Sequence, residues 1–381
     1  MNILVIFGTR PEAIKLAPLI YALKKNTHIT VKVCVSGQHR EMLDQVLEVF
    51  DIVPDIDLDV MKSNQNLYEI TSSILLKVGD IFSKEKYDYV IVHGDTTTAM
   101  ISALAAFYSK VPVLHIEAGL RSNNILSPFP EELNRSLISR IAYWNFSPTE
   151  SNKLNLINEG IDENKITVTG NTVIDALHLA IKSIGENRQK EEKIHCHISK
   201  LLNLDWISKK FILITAHRRE NFGEGITEIC SALVDLAKEF NNIHFIFPVH
   251  LNPNILEPVH RILSGYQNIH LVSPLGYDLF VCLLSKCYLV LTDSGGLQEE
   301  APSVGKPVLV MRDNTERPEA LESGAVILVG TNKDVIVKSV RRLLLDEVEY
   351  KKVSYLDSPF GNGRASEIIS EVIVGFSKSI K

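Results

Sequence analysis

The sequence lacks the features that mark a disulfide-bonded, zinc-stabilised or membrane-spanning protein. Its five cysteines are an odd set without paired CxxC spacing, so neither a disulfide framework nor a structural zinc site is expected. No apolar run is long enough to cross a bilayer, and no basic region precedes the apolar segment that follows Met1. We therefore expect a soluble, cytoplasmic protein without a bound metal ion.

Two further absences narrow the class of ligand. The chain has no block of lysine or arginine and a formal net charge of -6, which argues against a nucleic-acid partner. It also has no GxGxxG motif, so a nicotinamide or flavin cofactor is not expected. What the chain does have is 381 residues, 45% of them hydrophobic. That is more than one core usually organises, and two domains are expected.

Short apolar segments alternate with helical patterns along the chain. The predicted strands are 2–7, 31–36, 87–93, 113–117, 145–147, 211–215, 244–249, 269–272, 288–292 and 308–311. Such alternation predicts α/β architecture with parallel sheets and helices on both faces.

The domain boundaries follow from where this alternation pauses and resumes. We predict an N-terminal Rossmann-like domain at residues 1–172, completed by a C-terminal helix at 364–381, and a second Rossmann-like domain at 173–363. The charged stretch 187–200 is predicted to be a linker, with His195 and His197 on its surface.

A glycine turn in the second half predicts an anion site. Ser294, Gly295 and Gly296 lie between an apolar strand and a short helical pattern at 297–304. Amides at a helix N-terminus attract anions, and glycines let a phosphate approach the backbone. At least one of the two glutamates that follow, Glu299 and Glu300, should face away from a phosphate, where it could accept hydrogen bonds from a ribose diol. An N-capped helix with a glycine turn is the alternative interpretation.

Ionisable residues follow several predicted strands. Arg10 and Lys15 lie near the start of the first helix, Asp95 and Glu117 follow two successive strands, and His217 follows a strand in the second half. Ligands of parallel sheets bind beyond the carboxyl ends of the strands, so these positions favour a functional site. Taken singly, each could be a helix cap or a solvated surface residue.

A proline-rich loop leads into a helix that begins with acidic residues. Glu131 and Arg135 are four residues apart and lie on one face of that helix. The pair is either part of the site or only a helix salt bridge.

Eight segments, in order over nearly the whole chain, carry a recognisable pattern. They are Gly8-Thr-Arg-Pro-Glu-Ala-Ile-Lys15, His93-Gly-Asp-Thr-Thr-Thr98, Glu117-Ala-Gly-Leu-Arg121, Ser127-Pro-Phe-Pro-Glu-Glu132 with Asn134-Arg135, Ala216-His-Arg-Arg-Glu-Asn221, Pro248-Val-His-Leu-Asn-Pro253, Thr292-Asp-Ser-Gly-Gly-Leu-Gln-Glu-Glu-Ala-Pro302 and Thr315-Glu-Arg-Pro-Glu319. Together these segments resemble those of the non-hydrolysing UDP-N-acetylglucosamine 2-epimerases. The resemblance implies two Rossmann-like domains facing a cleft, the glycosyltransferase-B architecture. It also implies reversible conversion of UDP-N-acetylglucosamine to UDP-N-acetylmannosamine, which would supply N-acetylmannosamine units for cell-surface polysaccharide.

The implied chemistry is an elimination followed by a re-addition. A base removes the C2 proton as UDP leaves C1, which gives 2-acetamidoglucal, and UDP adds back with protonation from the opposite face. This needs acid/base groups on both faces of the sugar and stabilisation of the departing diphosphate. No cofactor is required.

The resemblance assigns roles to individual residues. The candidate catalytic groups are Asp95, Glu117, Glu131 and His217, and which carboxylate serves which face stays open. The candidate substrate contacts are Arg10, Lys15, Arg135 and Ser294 to Gly296 for the diphosphate, Glu300 for the ribose, Phe280 and the backbone near Leu275 for uracil, and Arg317 for the nucleotide.

The resemblance further implies a homodimer and, in bacterial members, a second UDP-N-acetylglucosamine bound as an activator. The candidate activator residues are Gln38, His39, Glu41, Gln65 and Arg218. The sequence departs from some activated members at Asn64, where an arginine can occur.

Four alternatives remain open at this point. A hydrolysing 2-epimerase would release free sugar, and another UDP-2-acetamido sugar could be the substrate. A glycosyltransferase would need only one well-placed base. A non-catalytic UDP-sugar sensor would leave the converging carboxylates unexplained.

Overall fold

The structure, a computed structural model, describes residues 1–37, 40–61, 65–354, 356 and 358–379, with the backbone alone at 41, 42 and 377–379. The chain divides into two compact units. Unit 1 comprises Met1–Leu179 and Phe360–Lys381, and unit 2 comprises Ala180–Pro359. Each unit is built on a parallel sheet, so the predicted class of two Rossmann-like α/β domains is confirmed.

Unit 1 alternates strands and helices from its first residues. Its elements are β1 (Asn2–Phe7), α1 (Arg10–Lys24), β2 (Thr30–Val35), α2 (Arg40–Val49), β3 (Ile56–Asp57), α3 (Leu67–Lys84), β4 (Tyr89–His93), α4 (Thr97–Tyr108), β5 (Val113–Ile116), α5 (Glu131–Ile141), β6 (Trp144–Ser147), α6 (Glu150–Asn158), β7 (Ile166–Val168) and α7 (Thr172–Glu186), which runs into unit 2. The strand order is β3-β2-β1-β4-β5-β6-β7. Ile3 to Phe7 are fully buried, as expected of a strand with helices on both faces.

Unit 2 repeats the pattern. Its elements are α8 (Arg188–Leu202), β8 (Lys210–Thr215), α9 (Glu224–Glu239), β9 (Ile243–Pro248), α10 (Pro253–Leu263), β10 (Ile269–Val272), α11 (Tyr277–Lys286), β11 (Leu289–Thr292), α12 (Leu297–Ser303), β12 (Val308–Val310), α13 (Pro318–Glu322), β13 (Val326–Leu328), α14 (Lys333–Leu345) and α15 (Glu347–Ser354). The strand order is β10-β9-β8-β11-β12-β13. The chain then returns to unit 1, where α16 (Ala365–Ser379) packs against α1.

Each sheet has one point at which the strand order reverses direction. In unit 1 the reversal lies between β1 and β4, and in unit 2 it lies between β8 and β11. At such a switch point the two following loops diverge to opposite faces of the sheet and leave a crevice at the carboxyl ends of the strands. These two places are where a ligand site is expected.

The predicted linker at 187–200 is wrong, because these residues form most of α8. Ile194, Ile198 and Leu202 are spaced four apart and are buried on one face, while the charged residues occupy the exposed faces. His195 is also not a simple surface residue, since its ring meets the indole of Trp206 edge-on at 5.4 Å. Within the described residues, no helix combines the length and apolar character that crossing a lipid bilayer requires.

Candidate active site

The buried carboxylate of Glu12 ties together the loops that follow β1 and β4. Its Oε2 accepts hydrogen bonds from the amides of Gly8 (3.0 Å) and Thr9 (2.8 Å), and its Oε1 accepts one from Thr96 Oγ1 (2.7 Å). Burial raises the pKa of Glu12 in spite of these donors. The carboxylate thereby holds together the two loops that border the switch point in unit 1.

The same switch point is too crowded for a side chain at Gly8. A Cβ atom built there would lie 2.1 Å from Ser36 Oγ and 2.6 Å from Thr98 Oγ1, two hydroxyls that are hydrogen-bonded to each other at 2.9 Å. Glycine therefore lets the loop after β1 close down on α4.

Glu117 follows β5 with its backbone in the left-handed region, at φ +63°. Its Oε2 accepts a hydrogen bond from Lys15 Nζ and another from Asn171 Nδ2 (3.0 Å), and it lies 3.5 Å from His93 Nε2. Burial by itself would raise the pKa of Glu117, but the charges of Lys15 and His93 outweigh it and hold the pKa well below its usual value. The carboxylate is therefore ionised at neutral pH.

Asp95 follows β4 and is held by Arg135 of α5. Arg135 Nε donates to Asp95 Oδ2 at 3.1 Å and a second guanidinium N–H reaches the same oxygen, while Nη1 donates to Glu132 Oε2 at 3.1 Å. Glu132 is buried and also accepts the amide hydrogen of Ser122 at 3.0 Å. The helix salt bridge weighed for Glu131 and Arg135 is therefore wrong, because Arg135 pairs with Asp95 and Glu132. Glu131 is half-buried in the first turn of α5.

In unit 2, Asp293 follows β11 and organises the loop that follows β8. Its Oδ2 accepts hydrogen bonds from the amides of His217 (2.9 Å) and Arg218 (2.8 Å) and from Asn221 Nδ2 (3.1 Å). Burial would raise the pKa of Asp293, but the contacts with His217 and Arg218 lower it. The result is a buried, ionised aspartate at the switch point.

The glycine turn follows Asp293 directly and has fewer available amides than the sequence indicated. The Ser294 amide donates to Thr292 Oγ1 at 2.9 Å. The amides of Gly295 and Gly296 have no hydrogen-bond acceptor among the described residues. A Cβ atom at Gly295 would lie 3.4 Å from Arg218 Nη2 and 3.9 Å from Arg317 Nη2. The turn therefore has two amides without an acceptor, and two guanidinium groups lie beside it. This arrangement favours binding of an anion.

The two glutamates of α12 have different surroundings. Glu299 is buried and accepts a hydrogen bond from Arg317 Nε at 2.5 Å. Glu299 is therefore paired with an arginine that lies beside the glycine turn. Glu300 is half-buried, and its Oε2 lies 3.5 Å from a Cβ atom built at Gly296.

A charge cluster braces the loops after β8 and β12. Arg312 forms a bidentate pair with Glu316 (2.8 and 3.0 Å) and donates to Glu220 Oε1 at 2.5 Å. Hydrogen bonding from Arg312 lowers the pKa of Glu316 to about 2. Arg218 Nη1 lies 3.5 Å from the same carboxylate, so Glu316 also holds Arg218 near the glycine turn.

The remaining predicted site residues are distributed over both units. Arg10 is half-buried at the first position of α1, and Leu275 and Phe280 are half-buried just before and within the first turn of α11. Gln65 is half-buried just before α3. Gln38, His39 and Asn64 lie outside the described residues, as does the side chain of Glu41.

Three residues of the two clusters did not emerge as site residues from the sequence: His93, Asn171 and Asp293. Each lies at or just after the carboxyl end of a strand, at β4, β7 and β11. The rule that selected Asp95 and Glu117 would have found them if it had been applied to every strand. Among the described residues, no group of three or more histidine, cysteine, aspartate or glutamate side chains is arranged to hold a metal ion.

Comparison with known proteins identifies close relatives. A family model described as UDP-N-acetylglucosamine 2-epimerase matches residues 21–374. The UDP-N-acetylglucosamine 2-epimerase of Escherichia coli K12 is 51% identical over 375 residues, which are 98% of each chain. The enzyme of that name from Campylobacter jejuni is 49% identical over 373 residues, 98% of this chain and 97% of the other. The crystal structure of UDP-GlcNAc 2-epimerase from Neisseria meningitidis bound to UDP-GlcNAc matches with a TM-score of 0.89 at 49% identity, covering 98% of this chain and 100% of that one.

Proposed function

The chain belongs to the UDP-N-acetylglucosamine 2-epimerase family, and from this premise we propose that it interconverts UDP-N-acetylglucosamine and UDP-N-acetylmannosamine without hydrolysing them. The observation that carries the proposal is the pairing of an ionised carboxylate, Glu117, with Lys15 at the carboxyl edge of one sheet. The cationic glycine turn at the switch point of the other sheet supplies the anion site that a diphosphate needs.

The proposed reaction proceeds by elimination and re-addition of UDP. The C2 hydrogen leaves as a proton to a carboxylate, the C–H electrons form the C1–C2 double bond, and the C1–O bond breaks with its electrons on UDP. The β-phosphate oxygen of UDP then attacks C1 of 2-acetamidoglucal while C2 takes a proton on the other face. Atoms and charge balance without an oxidant or a metal.

Glu117 is the proposed acid/base group on one face of the sugar, because it is ionised and therefore able to accept a proton at neutral pH. Asp95 or Glu131 is the proposed group on the other face. Asp95 is held by Arg135 and follows β4, whereas Glu131 stands in the first turn of α5. Substitution of each separately, with trapping of the glucal, decides between them.

His217 is the proposed contact for the departing diphosphate. Because Asp293 Oδ1 lies 3.1 Å from His217 Nδ1, it favours a proton on Nδ1 and leaves Nε2 for the ligand. Lys15 and Arg10 at the start of α1, with Arg135 in unit 1 and the Gly295 and Gly296 amides in unit 2, would stabilise the charge that develops on UDP. Hydrogen bonds to charged groups are worth about 1.5 to 3 kcal/mol each, so several together would assist departure substantially.

The nucleoside end of the ligand is proposed to bind in unit 2. Glu300, beside Gly296, would accept hydrogen bonds from the ribose diol. Phe280 would stack on uracil near the backbone of Leu275, since both are partly exposed around the start of α11. Arg317, held by Glu299, would brace the nucleotide.

We also propose that the active enzyme is a homodimer and that a second UDP-N-acetylglucosamine acts as an activator. The support for the activator is the sequence pattern at Gln38, His39 and Glu41, together with Gln65 and with Arg218 beside the glycine turn. A hyperbolic reverse reaction from UDP-N-acetylmannosamine alone, without added activator, would count against activation. The product would supply N-acetylmannosamine units for cell-surface polysaccharide.

The test is nuclear magnetic resonance of UDP-N-acetylglucosamine incubated with the protein in deuterated water. The proposal expects deuterium at C2 of both epimers and the appearance of UDP-N-acetylmannosamine. Release of free N-acetylmannosamine and UDP would assign the hydrolytic reaction instead, and binding without exchange would overturn catalysis at C2.

A further inference from the structure

Asn171 connects Glu117 to the segment by which the chain returns to unit 1. The Asn171 side chain donates from Nδ2 to Glu117 Oε2 at 3.0 Å, while its backbone amide donates to the carbonyl of Phe360 at 2.7 Å. Its Oδ1 accepts the Val173 amide hydrogen at 3.1 Å. Because that oxygen is committed to an N–H donor, the side-chain amide has one orientation, with its NH₂ group towards Glu117.

The contact between the outgoing and returning segments is made by two glycines. Gly170 (φ +86°) and Gly361 (φ +101°) both adopt backbone conformations that favour glycine. A Cβ atom at Gly170 would lie 2.9 Å from the Phe360 carbonyl oxygen, and one at Gly361 would lie 3.2 Å from Gly170 Cα. The returning backbone can therefore approach closely enough to hold the Asn171 amide.

Asp175, one turn into α7, provides a second contact with the returning segment. Its carboxylate accepts the amides of Ala365 (3.2 Å) and Ser366 (2.7 Å) at the start of α16. The returning segment is thus bound at two places within unit 1, by Asn171 and by Asp175, and Asn171 also contacts Glu117.

Both described hydrogen-bond donors to Glu117 use the same oxygen. Lys15 and Asn171 donate to Oε2, His93 Nε2 lies 3.5 Å from it, and no described residue donates to Oε1. A carboxylate held this way presents Oε1 as the oxygen that can take up a proton. Asn171 differs from Lys15 because it is a neutral amide. It can keep its hydrogen bond to Oε2 both when Glu117 is ionised and when Oε1 carries the proton.

We propose that Asn171 is a positioning residue that fixes Oε2 of Glu117 so that Oε1 exchanges the C2 proton, and that the returning segment at Phe360 and Gly361 holds Asn171 in place. This inference rests on the proposed role of Glu117. Lys15 is also a proposed contact of the diphosphate, whereas the proposed role of Asn171 is confined to keeping the carboxylate oriented.

The test compares deuterium exchange at C2, as a function of pH, in the full-length wild type and in Asn171→Ala. We expect kcat for exchange to fall about 10- to 100-fold with KM changed less than about threefold, because the base is misoriented while the ligand contacts remain. We also expect the acid limb of the profile to move to higher pH, because the Glu117 anion loses a donor. Asn171→Asp should move the limb further, since it places a second negative charge beside Glu117.

The matched control is Asn268→Ala in unit 2. Asn268 Nδ2 donates to the carbonyls of Ala237, Phe240 and Ile243, so its loss lowers stability without contacting Glu117. An equal shift of the acid limb in this control would overturn the inference, as would an Asn171→Ala enzyme that exchanges at the wild-type rate with the wild-type pH profile. If the wild type itself shows no exchange at C2, the proposed function fails first.

The role of the returning segment is tested by Gly361→Ala, alone and combined with Asn171→Ala. The single variant should shift the acid limb in the same direction, because the added Cβ displaces the segment that holds Asn171. The double variant should shift it no further than Asn171→Ala alone. Additive shifts would show that the segment acts by another route and would remove it from the proposal.

Discussion

Asp293 holds both the backbone and the ring of His217. Its Oδ2 accepts the His217 amide hydrogen at 2.9 Å, and its Oδ1 lies 3.1 Å from His217 Nδ1. The aspartate is fully buried, whereas the histidine side chain is 42% exposed. One buried charge thus fixes the backbone of His217 and also lies beside its ring, which remains accessible.

Asp293→Asn should lower kcat strongly, because an amide cannot satisfy both the backbone donors and a protonated Nδ1. We expect a loss of about 10²- to 10³-fold, in the range of a lost general acid or orienting group. Steady-state kinetics measures the loss of kcat, and calorimetry measures whether UDP binding is kept. His250→Ala, which removes the ring stacked on His217 at 6.0 Å, is the comparison and should cost less.

Glu117→Gln should abolish deuterium exchange at C2, with a loss of at least about 10²- to 10⁴-fold, because the amide cannot accept the proton. UDP affinity should stay nearly unchanged. Exchange is followed by nuclear magnetic resonance and affinity by calorimetry. A variant that keeps most of its exchange rate would remove Glu117 from the proposed acid/base groups.

Arg135→Leu should destabilise the protein as well as inactivate it. The buried guanidinium pairs with Asp95 and Glu132, and removing it leaves two carboxylates without their cation. Breaking a buried pair costs about 3 to 5 kcal/mol, measurable as the free energy of unfolding in denaturant. Arg364→Leu, whose partner Glu367 is exposed, should change stability by less than about 1 kcal/mol.

Gly8→Ala should be destabilising because its Cβ atom would overlap Ser36 Oγ at 2.1 Å. Overpacking of this kind costs about 1 to 3 kcal/mol. Gly79→Ala in α3 is the matched control, since a Cβ there meets nothing within 4 Å and alanine favours a helix by up to about 1 kcal/mol. The unfolding midpoint temperature should fall for Gly8→Ala and rise for Gly79→Ala. Equal decreases in the two variants would contradict the close approach seen at Gly8.

Stability should fall in acid partly because of two histidines on neighbouring strands of unit 2. His244 Nδ1 and His270 Nε2 are 2.9 Å apart, and burial lowers the pKa of both below the ordinary 6.5. The unfolded chain therefore binds these protons at higher pH than the folded one, so stability is lost as pH falls below 6.5 towards the folded pKa values. Replacing both by glutamine should flatten this part of the curve of unfolding free energy against pH, and an unchanged slope would contradict it.

Most strands could be predicted because buried parallel strands are short apolar runs that leave a direct signal, as at β1 and β8. The strands β3, β7 and β13 were not predicted, because each has only two or three residues. The carboxyl-end rule then located Asp95, Glu117 and His217 without knowledge of any partner. The helix α8 was missed because its apolar residues, Ile194 and Ile198, are few among charged neighbours.

The pairing of residues within each cluster could not be predicted. The sequence suggested Glu131 as the partner of Arg135 from helical spacing, but the buried side of α5 is the one that carries Glu132. Asn171 reaches Glu117 across 54 positions, and only the packing of β7 beside its neighbours brings them together. Such contacts depend on how the elements pack rather than on local pattern.

The most direct measurement of the proposed elimination uses UDP-N-acetylglucosamine with oxygen-18 in the atom that joins C1 to the β-phosphate. If UDP departs and returns, the freed β-phosphate can rotate and the label spreads into its non-bridging oxygens. We expect this positional exchange to proceed at least as fast as inversion at C2. Epimerisation with the label retained in the bridging position would contradict cleavage of the C1–O bond.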